Sequence, residues 1–364
     1  MNEERRKILK MVEDGMLSSE EAEELFESVD KTEQAANNPY SISEKVNWEE
    51  RPNEYQGNSR EKGTAAKLLG YLEEAFTKIK NVDLDLNFGN FYSISHVFQM
   101  NDTRFSKMDI DIANGNVQIV PWDEDVVRIA CEAKVYQVNN QEEARQKFLE
   151  QTDFSIDDGI LHFIISTKQV KVDTTIRIPT KFYEKVSLHL FNGSINVEYL
   201  KGKQLRTKTT NGSIDLHSIE MKTINAQTVN GKLKGGNLLA DTIEAETISG
   251  SVYLVGDVKK VDAQVVNGSI HCTWHRQPEI AFLKATTGSI RLHVPEDSVI
   301  DGKLETNIGN LHCNLTNYKI YAEKKDMVKR ALHFETEAHQ KEQVFHLEAE
   351  TKTGSIWIIP HELT

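Results

Sequence analysis

The spacing of apolar residues changes several times along the chain, and these changes divide it into segments. Residues 3–30 carry two runs of apolar residues at helical spacing, separated by Gly15, and a capping box at Ser18–Glu21 opens the second run. The pattern predicts a helical hairpin over residues 1–30. Helices this short are marginal alone, so the hairpin is interpreted as an interaction module. Its candidate contact residues are Leu9, Val12, Leu25 and Phe26.

Two further segments precede the main part of the chain. Residues 31–62 are rich in Asn, Glu, Gln and Ser and hold few apolar residues, which predicts a flexible linker. Residues 63–80 return to helical spacing and predict an amphipathic helix, with Leu69 and Phe76 on its apolar face. This helix is interpreted as a cap on the following domain, with docking to a partner or to a membrane surface as the alternative.

From residue 81 the apolar period falls to two, which predicts β-structure to the end of the chain. One helical interruption is predicted at 141–151, where Asn140 can cap the first turn and Glu143 can reach back.

A glycine-centred unit recurs through this β-region, and successive glycines are 18 to 21 positions apart. A fixed period with one turn signal per repeat is typical of stacked coils, each too small to bury its own apolar face. The units are Asn192-Gly-Ser-Ile, Asn211-Gly-Ser-Ile, Asn230-Gly-Lys-Leu, Ser249-Gly-Ser-Val, Asn267-Gly-Ser-Ile, Thr287-Gly-Ser-Ile and Ile308-Gly-Asn-Leu.

The fold predicted from this repeat is a single-stranded parallel β-solenoid of about 19–21 residues per coil, regular over about 182–315. Asn-Gly also favours hairpins, so an antiparallel meander is the competing fold. Meander turns would recur every 8–12 residues, about half the observed period, which favours the solenoid. In stacked coils Asn192, Asn211, Asn230 and Asn267 can form a side-chain ladder. After Gly309 the motif lapses for 45 residues, which predicts an insertion at 318–345 and a closing coil at 351–360.

The third residue after each glycine is predicted to point outward, so these residues should form one row along the solenoid. The row is chemically mixed, and His271 and His312 are expected two coils apart with Arg291 between them, which disfavours a metal site. Surface histidines are the simpler interpretation. The row comprises Asn196, Asp215, Lys234, Tyr253, His271, Arg291, His312 and Trp357.

No arrangement typical of catalysis is found in the sequence. The carboxylates Asp215, Asp241, Glu244, Glu246 and Asp257 follow no repeated register, unlike the paired acids of β-helical glycosidases. Cys272 and Cys313 fall on the inward phase, where cysteine acts as a small apolar residue. The sequence contains no phosphate-binding loop, no dinucleotide-binding glycine motif, no hydrolase nucleophile elbow and no zinc-binding motif. No catalytic residue, cofactor or metal is therefore predicted.

Composition narrows the classes of partner. A net charge of -13 argues against nucleic acid, whose binding requires clustered Lys and Arg. The sequence holds no long uncharged apolar run and no signal-peptide core, and its three cysteines are widely spaced. These features predict a cytoplasmic protein, with a position peripheral to the membrane as an option.

The serial Gly-Ser-Ile coils over about 180–358 and the segment Met11–Ala22 together resemble a bacterial "putative adhesin" β-solenoid family with an N-terminal helical hairpin, of YvlB-like and LiaX-like type. The resemblance implies a part in the cell-envelope stress response beside membrane-associated partners, and it carries no catalytic residues over.

The hypothesis that follows is a non-enzymatic scaffold or binding protein that acts through a protein partner, with self-association through the hairpin as an option. Two alternatives stay open at this stage: a carbohydrate-active β-helix enzyme, and a peripheral membrane protein that binds through helix 64–80.

Overall fold

The computed structural model describes residues 90–101, 103–326, 329–336 and 343–361. The chain divides into two compact units, residues 1–81 and 82–364, and every described residue belongs to the second unit. The predicted hairpin, linker and helix over residues 1–80 therefore lie outside the described residues.

The described residues form β-strands and a single α-helix, α1, at Gln141–Glu150. The first strands are β1 (Phe91–Met100), β2 (Lys107–Asn114), β3 (Val117–Trp122), β4 (Val127–Tyr136), β5 (Asp153–Asp157), β6 (Ile160–Ile165), β7 (Val170–Pro179), β8 (Phe182–Asn192), β9 (Ile195–Glu198), β10 (Lys201–Asn211), β11 (Ile214–His217) and β12 (Glu220–Asn230). The remainder are β13 (Leu233–Ser249), β14 (Val252–Asn267), β15 (Ile270–Thr273), β16 (Ile280–Thr287), β17 (Ile290–Pro295), β18 (Ile300–Ile308), β19 (Leu311–Cys313), β20 (Tyr318–Lys325), β21 (Arg330–Thr336), β22 (Phe345–Thr353) and β23 (Ile356–His361).

Each coil of the repeat consists of a long strand, a glycine corner and a short strand. Long strands pair in parallel with long strands, as β10 does with β8 and β12, and short strands pair with short strands, as β11 does with β9 and β13. In β13 and β14 the short strand of one coil runs on into the long strand of the next. The predicted parallel β-solenoid is confirmed, and the antiparallel meander is excluded for these coils.

The core lies between the inward faces of the long and short strands. In the short strands the first and third residues point inward, and from Ile195 to Leu292 the pairs predicted to do so are at most 6% exposed. Burying each such aliphatic side chain contributes roughly 1.5–3 kcal/mol. Leu311 and Cys313 of β19 are only half-buried, because among the described strands β19 pairs with β23 alone.

The glycine at each corner is required by its neighbours. A Cβ atom at Gly231 would lie well inside 3.0 Å of the Gly212 carbonyl, and the same holds at every glycine of this column. Several of these residues also have positive φ, such as Gly268 at 148°. At most positions of this column, a side chain is therefore excluded both by a steric clash with the neighbouring backbone and by the positive φ. In spatial order the column consists of Gly115, Gly193, Gly212, Gly231, Gly250, Gly268, Gly288, Gly354 and Gly309.

Polar side chains brace the corner on both sides of this glycine column. On the inner side, buried threonine hydroxyls donate to glycine carbonyls at 2.7–3.0 Å, as Thr228 does to Gly212. On the outer side, Asn211 donates to Asn192 at 2.8 Å, and Asn230 donates to Asn211 at 3.0 Å. The predicted asparagine ladder is thus confirmed for these three residues.

At the N-terminal end of the stack, chain order and spatial order differ. Strands β2 and β3 lie between β6 and β7 on one side and β8 and β9 on the other. Beyond them, β5 pairs antiparallel with β6, while β4 pairs antiparallel with both β7 and β1. Helix α1 packs on β1 and β4 and buries Phe148. As predicted, Asn140 caps α1 by accepting from the Glu143 amide, and Glu143 reaches back to the Asn139 amide, both at 2.8 Å.

The C-terminal end shows the same exchange of order. Strand β22 pairs in parallel with β16 and β18, and β23 pairs in parallel with β17 and β19. The coil predicted at 351–360, the last in sequence, is therefore inserted one place from the end of the stack. Most of the residues predicted as an insertion at 318–345 lie in the hairpin β20–β21. Strand β21 of this hairpin pairs antiparallel with β18 and so covers the long strand of the outermost coil.

The close packing at the glycine column predicts that alanine destabilises the protein more at a column position than at a glycine outside the column. Gly231→Ala should lower the free energy of unfolding by about 3 kcal/mol, because the new methyl group meets fixed backbone rather than a movable side chain. Denaturant unfolding of the purified chain measures the change. Gly159→Ala is the matched control: Gly159 has a φ of 73°, and the nearest atom to its Cβ position is 3.9 Å away, so only the conformational cost of about 1 kcal/mol is expected. Equal losses in the two variants would contradict the steric argument.

Candidate binding face

The outward residues of the short strands form the row that was predicted from the sequence. Each row residue pairs with the next one: Asn196 with Asp215, Asp215 with Lys234, Lys234 with Tyr253, and Tyr253 with His271. Because β23 is inserted between β17 and β19, the row then continues through Arg291, Trp357 and His312. His271 and His312 are therefore three coils apart, not two as expected, and Trp357 rather than Arg291 is the neighbour of His312.

Five successive members of this row, Tyr253, His271, Arg291, Trp357 and His312, are called here the aromatic–cationic row. The Tyr253 and His271 rings stack with centroids 4.7 Å apart and planes 9° from parallel. The Trp357 and His312 rings stack at 5.3 Å and 7°. The Arg291 guanidinium carbon lies 5.0 Å from the centroid of the Trp357 ring, in cation–π contact.

A second outward row runs beside the first. Register places Val255 beside Thr273, Thr273 beside His293, and His293 beside Ile359. From Lys234 to His312, neither row contains an Asp or a Glu, although the whole chain has 56 acidic and 43 basic residues. This part of the short-strand face is therefore aromatic and cationic on a protein of net negative charge.

His271 of the aromatic–cationic row and His293 of the second row both have a lowered pKa. Burial lowers the pKa of His271, and the nearby charges of Arg291 and His293 lower it further. Burial likewise lowers the pKa of His293, with added contributions from His361 and Arg291. Both imidazoles are thus neutral at pH 7, and an anion brought to this face would favour their protonation.

Of the five carboxylates tested for catalysis, Asp215 lies in the outward row beside Lys234, and the other four form polar contacts on other parts of the surface. Glu244 accepts a hydrogen bond from Asn225 at 2.7 Å, and Glu246 accepts one from Gln227 at 2.9 Å. Asp241 pairs with Lys259 at 2.7 Å, and Asp257 pairs with Arg276 at 3.3 Å. These contacts give the four carboxylates a role as hydrogen-bonding and ion-pairing groups on the surface.

The cysteines are held as thiols. Burial raises the pKa of Cys131 to about 12 and also raises the pKa of Cys272, which is fully enclosed in the core. Cys313 is half-buried, and its pKa is raised by the same cause. Thiols of raised pKa are poor nucleophiles. Among the described residues, no group of three or more His, Cys, Asp or Glu side chains is arranged to hold a metal ion.

The other candidate contact residues cannot be placed on this face. Leu9, Val12, Leu25, Phe26, Leu69 and Phe76 all lie outside the residues that the structure describes. Within that described part, no helix combines the length and the apolar composition needed to cross a bilayer.

The fold and the face define a class of protein: a parallel β-solenoid with antiparallel strands at both ends and an aromatic–cationic row on its short-strand side. Residues 105–346 match the family described as Toastrack DUF4097, and this chain belongs to that family. Residues 3–34, the region of the predicted hairpin, match the SHOCT-like domain.

One relative and two solved structures place the chain further. It is 42% identical over 361 residues to protein YvlB of Bacillus subtilis (strain 168), with 98% of each chain covered. A "putative adhesin" of Parabacteroides distasonis ATCC 8503 is similar at 12% identity with a TM-score of 0.41, over 73% of this chain and 97% of that one. A "putative adhesin" of Bacteroides fragilis NCTC 9343 is similar at 13% identity with a TM-score of 0.34, again over 73% of this chain and 97% of that one. The predicted membership of a YvlB-like β-solenoid family is confirmed.

The electrostatics of the row can be tested through its histidines. Arg291→Gln removes a positive charge from beside His271 and His293, so the pKa of both imidazoles should rise toward its ordinary value. NMR titration of the histidine ring resonances measures the shift. Arg206→Gln, at an exposed position on the long strand β10, is the control and should leave both values in place. Unchanged titration of His271 and His293 in Arg291→Gln would contradict the electrostatic coupling.

Proposed function

We propose that this protein is a non-enzymatic binding protein, a scaffold of the bacterial cell-envelope stress response, that contacts a protein partner through its short-strand face. The observation that carries the proposal is the aromatic–cationic row. Tyr, Trp and Arg are the residue types that dominate the energetics of protein–protein contacts. Here they stand in one line on a part of the face, from Tyr253 to His312, whose outward rows contain no acidic residue.

The scaffold beneath the row supports this role. Tyr253, His271, Arg291 and Trp357 each lie between inward neighbours that belong to the core, as Ile290 and Leu292 do on either side of Arg291, whereas the neighbours of His312 are half-buried. Residues fixed this way lose little conformational freedom on binding, so more of the contact energy remains as affinity. Tyr253 and Val255 at the start of the face are each 38% exposed, which leaves apolar surface for a partner to bury.

The cellular setting belongs to the proposal and rests on different support. The resemblance to envelope-stress proteins and the identity to a Bacillus relative favour work beside the cell membrane, and the free cysteines favour a cytoplasmic location. The region matching a SHOCT-like domain would provide a second contact surface through Leu9, Val12, Leu25 and Phe26. Residues 63–80, with Leu69 and Phe76, would then dock to the partner or rest against the membrane.

A cross-linking pull-down with the full chain tests the proposal. Reversing two exposed charges of the face, with Lys234→Glu and Arg291→Glu together, should reduce recovery of the partner about tenfold, which corresponds to ~1.4 kcal/mol of binding free energy. Quantitative mass spectrometry of material captured from envelope-stressed cells measures the reduction.

A matched control makes the same change of charge elsewhere. Arg206→Glu with Lys222→Glu alters one Arg and one Lys at exposed positions on the long strands β10 and β12. It should retain the partner. Loss of the partner in both double variants, or in neither, would count against the face, and product release from cell-wall polymers by the wild-type chain would overturn the non-enzymatic assignment.

A further inference from the structure

We propose that the aromatic–cationic row binds an extended acidic segment of a partner protein, an inference that deepens the function proposed above and rests on it. Four properties of the short-strand face lead to this occupant: the orientation of the rings, the distribution of charge, the length of the row and the apolar residues beside it.

The stacked rings direct their edges outward, and the outer face of His312, at the end of the row, has no neighbour in the row. Tyr253 and His271 stack on each other, and so do Trp357 and His312, with neighbours following one another along the axis of the stack. Ring faces used in this way are not available to stack on sugars or nucleic-acid bases. The edge of an aromatic ring carries the positive end of its quadrupole, so a line of outward edges favours anions.

The charge on the face acts in the same direction. Arg291 is permanently charged, Lys234 lies two coils before His271, and His271, His293 and His312 offer ring nitrogens to a ligand. From Tyr253 to His312 the outward rows contain no carboxylate, so an incoming anion competes with no acidic side chain of these rows there, whereas Asp215 lies beside Lys234. Electrostatic complementarity of this kind sets which partner binds and how fast.

The dimensions fit a short peptide. From Lys234, one spacing before Tyr253, to His312 at the end of the row there are five strand spacings, roughly 24 Å at ~4.8 Å per spacing. An extended polypeptide rises about 3.3 Å per residue, so about seven residues cover this span. Alternate side chains of such a segment would reach the cationic row, and those between them would lie over its flank.

That flank is where the apolar residues lie, and they favour a polypeptide over a phosphate polymer. Val255 and Ile359 belong to the second row, and Val255 is 38% exposed beside Tyr253. A segment that alternates acidic with apolar residues can bury them, whereas a phosphodiester chain has no side chains with which to do so.

Proton uptake provides a signature that a generic basic patch lacks. The titratable and charged groups facing His271 and His293 are Tyr253 from β14, Arg291 from β17 and His361 from β23. All are neutral or positive, so they add to the effect of burial, which is the larger cause of the lowered pKa of both imidazoles. A bound carboxylate stabilises their protonated form, and affinity should therefore rise as the pH falls from 7.5 to 5.5.

Fluorescence anisotropy with a labelled heptapeptide that alternates Asp with Leu tests the inference on the full chain. Binding should be about threefold tighter at pH 5.5 than at pH 7.5, where the aspartates stay ionised. Arg291→Gln should weaken it about fivefold, Arg206→Gln should leave it unchanged, and the same peptide with Asn for Asp should not bind. Thermal unfolding of each variant confirms that the fold is retained.

The contrary outcomes are distinct from failure of the proposed function. If the acidic peptide does not bind while the pull-down still depends on Lys234 and Arg291, the acidic-segment inference is overturned and the binding face stands. Row-dependent binding of inorganic polyphosphate or of phosphatidylglycerol vesicles, without binding of the peptide, would also overturn it. Equal loss of peptide binding in Arg291→Gln and Arg206→Gln would show that the row is not the site.

Discussion

The close approach of one backbone to the next at the glycine corner is the constraint on which the rest of this structure depends. Each corner carbonyl occupies the space where a side chain of the next coil would begin, so successive coils settle into one register. Threonine hydroxyls from inside and asparagine amides from outside then bond to groups at fixed positions. The alignment of outward side chains into straight rows, including the row that we assign to binding, is a consequence of this register.

A stack of parallel strands ends in unpaired edges, which tend to recruit other chains. Here both ends carry antiparallel strands: β1, β4 and β5 with helix α1 at one end, and the hairpin β20–β21 at the other. The protection is unequal, because β21 covers the long strand β18 but β19 pairs with β23 alone. His312 therefore stands on the outermost short strand of the row.

Much of the fold could be predicted because the repeat unit and its period are local properties of the sequence. The motif around Gly212 indicates a corner, and its spacing from Gly231 indicates a parallel stack. The neighbours of the end coils could not be predicted in the same way, since the same motif marks each coil and does not specify which coil lies beside it. Trp357 was correctly assigned to the outward row, but its contacts with Arg291 and His312 depend on where β23 inserts. The assignments over residues 1–80 stay predictions.

The exchange of order at the two ends also constrains how the chain can be made. A solenoid whose coils stack in sequence order can grow on the ribosome one coil at a time. In this protein β18 and β19 are synthesised before β22 and β23, yet they lie outside them, so they cannot reach their final neighbours until β22 and β23 have emerged. The outer coils should consequently complete their folding only after residues 345–361 have been made, and a nascent chain truncated before Phe345 would carry a site with its tryptophan missing.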